Sequence, residues 1–274
     1  MGLRINQNID AFNSYRNLSV TQGAMSKSLE KLSSGFRINR AADDAAGLAI
    51  SESLRSQVGG LKVAVRNAQD GVSVAQTAEG ALTEVHAMLQ RMRDLTVQAG
   101  NTGANGGASG KAVGAIQEEI DALSTAINDI ATRTEFNGTK LLDNTSTLTF
   151  QVGANGGDTQ TIALSDMKAA TLGVDGVDVT ANTTTADLTT IDAAIESVST
   201  FRGKLGAAQN TFEHTVNNLN VAVENLSASE SRIRDTDMAQ EMMNFTRSQI
   251  LSQAGTAMLS QANQAPQGVL SLLR

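Results

Sequence analysis

Residues 54–90 read LRSQVGGLKVAVRNAQDGVSVAQTAEGALTEVHAMLQ, a run without proline. Leu54, Leu61, Ala68, Ala75, Leu82 and Leu89 recur every seven residues. A companion row runs Val58, Val65 and Val72, then shifts to Ala78, Val85 and Met92. A sustained seven-residue apolar repeat keeps one seam of a helix turned toward a partner. The stretch therefore predicts a long helix in coiled-coil-like packing, with the alanines permitting close approach.

The repeat returns near the other end of the chain. Ile191, Val198, Leu205, Phe212, Leu219, Leu226 and Ile233 stand at strict sevens, and Ile195, Val216 and Val223 each follow a member of that row by four. A helix from near Leu188 to a break at Arg234-Asp235-Thr236 would be ~65–70 Å long at 1.5 Å per residue. Between the long helices, Val113, Ile116, Ile120, Leu123, Ile127 and Ile130 give a three-four pattern and a third helix. Gly100 to Gly110 is a flexible break before it. Asn137-Gly138 signals a turn. Leu148, Phe150 and Val152 alternate with polar residues as in a half-buried strand, and Thr159 to Leu164 forms a second strand after Asn155-Gly156-Gly157.

Amphipathic segments flank this middle. Ile5, Ile9, Phe12, Leu18, Met25, Leu29 and Leu32 give a mostly helical periodicity, stopped at Ser33-Ser34-Gly35. Asp43 or Asp44 is placed to cap the long helix that follows the connector. Asp237 with Gln240 resembles a capping box for the last helix. That last segment, Ser248 to Leu273, carries no charged residue. Gln249, Ser252, Gln253, Thr256, Ser260, Asn263, Gln264 and Gln267 fall on one face, leaving Ile250, Leu251, Ala254, Ala257, Met258, Ala262 and Ala265 across much of the rest.

The expected fold is mainly α: a long antiparallel coiled-coil-like helical bundle with a small β-hairpin cap at about 137–187. Terminal helices add a two-helix layer. The expected domains are 1–44 with 234–274, and 45–233. Two helices alone bury little surface, so the terminal layer is expected to be disordered in a monomer and ordered in an assembly.

Composition narrows the function. A net charge of −7 argues against a general nucleic-acid binder. With no Cys, disulfides and thiolate metal sites are impossible. No bilayer-spanning run and no cleaved secretory signal are read. Aromatics are only 3% and proline occurs once, which suits long helices packed closely rather than a thick core.

The motifs at both ends resemble those of bacterial flagellin. Residues 31–51, KLSSGFRINRAADDAAGLAIS, are similar to its N-terminal signature. Glu224-Asn225-Leu226, Glu230 to Asp235 and Met238-Ala239 are similar to its C-terminal one, as is the tail with Gln261 to Gln264 and Leu272-Leu273-Arg274. The resemblance covers about residues 1–150 and 188–274. It implies a flagellar filament subunit, exported through the flagellar type III apparatus and polymerising outside the cell into a tube. It also implies an export chaperone, filament cap and hook–filament junction proteins as partners. The short middle leaves no room for variable outer domains.

Under this resemblance, Ile5, Ile9, Phe12, Met242, Phe245, Ile250, Leu251, Ala254 and Met258 are the expected inner-tube packing set, with the tail's apolar face on the N-terminal helix and on neighbouring copies. Gln249, Gln253, Thr256, Ser260 and Gln264 are the expected channel lining. A channel for unfolded chains should neither trap nor repel them, and charge in a confined space would do both. Gln90 to Gln98 matches the segment recognised by the flagellin-sensing Toll-like receptor of animals. Arg91, Leu95 and Gln98 fall on one helix face, and Glu119 matches a further contact.

Other readings are weaker. No catalytic, metal or cofactor site is expected: His86 and His214 are the only histidines, and the zinc-binding His-Glu-x-x-His pattern is missing. The glycine-rich stretches lack a P-loop ending. The absence of basic residues from Ser248 to Leu273 speaks against membrane activity. The alternative within the family is the hook–filament junction protein.

Overall fold

A computed structural model describes residues 7–101, 103, 110–181 and 184–272. The order is α1 Ile9–Ser34, α2 Ala45–Ala99, α3 Lys111–Arg133, β1 Glu135–Phe136, β2 Thr139–Lys140, β3 Thr147–Gln151, β4 Thr159–Ala163, α4 Ala169–Leu172, α5 Thr184–Arg234 and α6 Met238–Leu272. A 3₁₀ turn at Val179–Ala181 precedes α5. Most of the expected break at 100–110 lies outside the described residues, as does Ile5.

The chain forms two compact units, residues 1–57 with 225–274 and residues 58–224, here the terminal and core units. The division falls inside both long helices, because α2 and α5 each contribute one end to the terminal unit.

In the core unit, α2 and α5 run antiparallel. Arg93 meets Asp192 at 2.7 Å and Glu79 meets Arg202 at 3.6 Å, while Gly71 lies against Phe212. As numbers fall along α2 they rise along α5. The first expected row of α2 is buried from Ala68 to Leu89. The second differs from expectation. It runs Ala64, Gly71, Ala78, Val85, Met92 and Ala99, all buried, while Val65 and Val72 are only half-buried. Val58 is buried as expected, so the spacing changes between Val58 and Ala64 and keeps strict sevens from there to Ala99. Its first members are too small to register as apolar markers.

The same holds on α5. Ile191, Val198, Leu205 and Phe212 are buried as expected. Beside them lie Asp187, Ala194 and Phe201 rather than Ile195, which is half-buried with Val216 and Val223. Small residues opposite large ones let the helices interdigitate at close range. Gly71 shows the requirement: a Cβ there would stand 2.8 Å from a Phe212 ring carbon.

The β cap closes the core unit. Asn137 and Gly138 have φ of 47° and 79°, the two left-handed residues of a type I′ turn joining β1 to β2. β3 and β4 pair antiparallel, Thr147 with Ala163 through Gln151 with Thr159. Phe150 meets Phe212 edge-on at 5.4 Å between centroids. The cap has no core of its own: Leu141, Leu142, Ile162 and Met167 join the cluster formed by the helices. Side-chain amides finish the docking. Asn67 donates to the Gln151 carbonyl at 2.9 Å. Gln117 donates to Val177 O and accepts from Val179 N, both at 2.9 Å, as a backbone group would.

Candidate assembly surface

In the terminal unit, α1 and α6 pair antiparallel. Asn8 Nδ2 donates to the Ala262 carbonyl at 2.7 Å, and Leu18 lies over Gly255. Each helix covers a narrow seam. On α1 the covered residues are Ala11, Ser14, Leu18, Thr21, Met25, Ser28 and Leu32. On α6 they are Glu241, Phe245, Ser248, Ser252, Gly255, Leu259 and Ala262, with Asn244 beside them. Both rows alternate threes and fours, the spacing of a coiled-coil seam, but only a few members are large and apolar. A Cβ on Gly255 would come within 3.3 Å of Leu18 Cδ1, so the glycine lets that leucine seat.

This seam corrects one expectation. Ala262 of the expected apolar face is covered by the pairing, but the large residues of that face do not pack on the N-terminal helix. Ile9, Phe12, Met242, Ile250, Leu251 and Met258 are between 51% and 73% exposed, and Ala254 is exposed as well. Of the described packing set, Phe245 alone is half-buried. The cause is spacing. The large residues lie to one side of the three-four row, and serine, glycine and alanine occupy the row itself. Met242, Met243, Thr246, Arg247, Ile250 and Leu251 line an open apolar groove of about 540 Å³. Gln249, Gln253, Thr256, Ser260 and Gln264 are all exposed on a further face. The last helix thus carries a covered seam, a neutral polar face and a bare apolar face.

Where these helices meet the long ones, the chain makes a clasp absent from the sequence reading. Gly35 ends α1 with φ of 75°, its N–H bonding the Lys31 carbonyl. Phe36 and Asp235 then form a β-bridge, Arg37 N donates to Arg234 O at 2.7 Å, and Thr236 N donates to Gly35 O at 2.9 Å. The Arg234 guanidinium bonds Glu52 at 2.5 Å and lies 4.8 Å from the centre of the Phe36 ring. Of the two candidate caps for α2, Asp44 accepts from the Gly47 N–H at 2.8 Å. Asp43 accepts from Arg40 N at 3.1 Å instead. Its carboxyl is held below the usual aspartate range, chiefly by that N–H, with Asn39 N–H, Lys27 and Lys31 assisting and desolvation opposing. Asp237 caps α6 from the Ala239 and Gln240 amides.

The proposed receptor contacts divide in the core unit. Arg91 and Glu119 pair across α2 and α3 at 2.7 Å, both open to solvent, and Gln98 is exposed. Leu95 is only 2% exposed and belongs to the core cluster. Its place on the Arg91 face is corrected accordingly: the i+4 position has rotated into the buried seam. His86 is half-buried and His214 exposed. Among the described residues no group of three His, Cys, Asp or Glu is placed to hold a metal, and no helix is long and apolar enough to cross a membrane.

Comparison with known proteins gives these surfaces their context. The bacterial flagellin N-terminal helical region matches residues 5–147, and the bacterial flagellin C-terminal helical region matches residues 188–273. The chain belongs to the bacterial flagellin family. A flagellin of Bacillus subtilis (strain 168) is 52% identical, the alignment covering 99% of this chain and 100% of that one. A flagellin of Halalkalibacterium halodurans is 50% identical over 98% and 99%. A flagellar filament 33 kDa core protein of Treponema phagedenis is 45% identical over 98% and 99%. The crystal structure of Bacillus cereus flagellin matches with a TM-score of 0.50 and 29% identity, covering 56% of this chain and 88% of that one. The function is structural: the chain is a subunit of the bacterial flagellar filament, in a short flagellin form. These relatives give no support to the junction-protein alternative.

Proposed function

We propose that the terminal unit forms the inner layer of the tube, and that subunits join through the apolar faces of α1 and α6 that their own seam leaves bare. The carrying observation is the exposure of Ile9, Phe12, Ile250, Leu251 and Met258 on paired helices. Burying one such side chain is worth about 1.5–3 kcal/mol, so a neighbouring copy on each side supplies the stability that two helices alone lack. The pair therefore frays in a free subunit and becomes fixed on assembly. A single charge on the bare face tests this. Ile250→Glu is expected to abolish seeded elongation while leaving the helical spectrum of the core unit intact. Normal filaments from this variant would sink the assignment.

The neutral polar face is then the channel lining. Gln253→Glu with Ser260→Lys should assemble yet yield shorter filaments in a living cell, through impeded transit of later subunits. Filaments of wild-type length would remove that role. The export route that this lining serves is the type III apparatus, with a chaperone on the bare face of α6 beforehand. The cap protein contacts the growing tip, and the junction proteins contact the hook-side end. Recognition of free subunits by the animal Toll-like receptor would draw on Arg91, Gln98 and Glu119. Leu95, being buried, contributes by holding α2 in place.

A further inference from the structure

Among the described methionines Met25 and Met88 are half-buried, and the other six divide sharply. Met92 and Met167 are buried in the core unit, at 0% and 3% exposure. On α6, Met238, Met242, Met243 and Met258 are 47%, 51%, 57% and 62% exposed. The chain has no cysteine to intercept oxidants, and a thioether is the next most readily oxidised side chain. Met242 and Met243 also wall the open apolar groove.

We propose that these four methionines are an oxidant-sensitive modification site that gates assembly of the free subunit. The co-reactant is a two-electron peroxide. A sulfur lone pair attacks one peroxide oxygen, the S–O bond forms as the O–O bond breaks, and the other oxygen takes the attacked oxygen's proton and leaves as water. Sulfur is oxidised by two electrons and peroxide reduced by two. The sulfoxide is polar and a strong acceptor, so at Met242 and Met243 in the groove and at Met258 it makes the bare apolar face resist burial against another copy, while at Met238 it adds a polar group at the start of the helix. A methionine sulfoxide reductase reverses the change. This rests on the reading that α6 joins copies through its bare face. It adds that the same exposure leaves the face chemically vulnerable before joining.

Native subunits are treated with graded hydrogen peroxide, mapped by peptide mass spectrometry and assayed by seeded elongation. Met238, Met242, Met243 and Met258 should gain oxygen at least tenfold faster than Met92 and Met167. Elongation should fall at least tenfold as they do so, and return after sulfoxide reductase treatment. Equal oxidation of the buried pair overturns the site. Unchanged elongation by subunits oxidised at all four overturns the gate. A variant with leucine at the four positions is compared with its own untreated rate, and peroxide should leave that ratio near one. Loss of elongation by peroxide in this variant also overturns the gate. Assembled filaments given the same peroxide report on the underlying interface. Protection of the four residues supports burial between copies. Full oxidation in the filament would fault that interface while the free-subunit arms still judge the site itself.

Discussion

Gly71 is the residue on which the core unit's close packing turns. A side chain there would put a Cβ at 2.8, 2.9 and 3.1 Å from three atoms of the Phe212 ring, which is fully buried and held edge-on by Phe150. The ring has nowhere to move without disturbing the β cap. Gly71→Ala should therefore destabilise the core unit by about 1–3 kcal/mol, despite a better helix propensity. Urea unfolding followed by circular dichroism measures it. A second prediction concerns Arg234, whose side chain is 13% exposed while Glu52 is 51% exposed. Because Glu52 keeps its water, Arg234→Ala should cost only about 1 kcal/mol. Its local effect should be larger, with faster hydrogen exchange at the Arg37 and Thr236 amides. Unchanged exchange there would show that the backbone contacts hold the clasp without the guanidinium.

At the scale of elements, helix existence and ends were legible because their causes are local. Gly35, Asp44, Asp237 and Asn137-Gly138 act through the backbone conformation or hydrogen bonds of their own turn. The seams were less legible. Val65 and Val72 drew attention, while Ala64 and Gly71 carry the contact. On the terminal helices, Ser14, Thr21, Ser28, Ser248, Ser252 and Gly255 occupy the covered row. The available signal was the three-four spacing of small residues, which a hydrophobic count passes over. The terminal apolar residues follow the reverse logic under the proposed assembly: they stay bare on one chain and await a surface from another copy. The connector between α1 and α2 gives a pH-dependent prediction. Asp43 is depressed below its ordinary value of 3.8. A lowered folded pKa means that its contribution is fully present above that ordinary value and is lost as pH falls through the folded one. Amide protection at Arg40 should therefore decline under acid, whereas in Asp43→Asn the acid-dependent part should vanish. Hydrogen exchange by NMR across that range decides it.

At the scale of the whole molecule, the two units depend on different things. The core unit has a continuous buried cluster from α2, α3, α5 and the cap. The terminal unit has a thin seam, a clasp and bare apolar faces. Deleting residues 248–274 removes most of the α6 side of that seam and nothing from the core cluster. The truncated chain should therefore remain soluble, keep the melting temperature of its core unit and fail to elongate on seeds. Its α1 should lose protection from exchange beyond Leu18 toward the N-terminus, where the deleted Gly255 and Ala262 stood opposite. Thermal circular dichroism, hydrogen exchange and electron microscopy of seeded samples test the three parts. Normal filaments from the truncated chain would mean that copies join without the last helix, and that its bare face has another use. A melting temperature several degrees lower would mean instead that the core unit draws stability from the seam, contrary to its separate buried cluster.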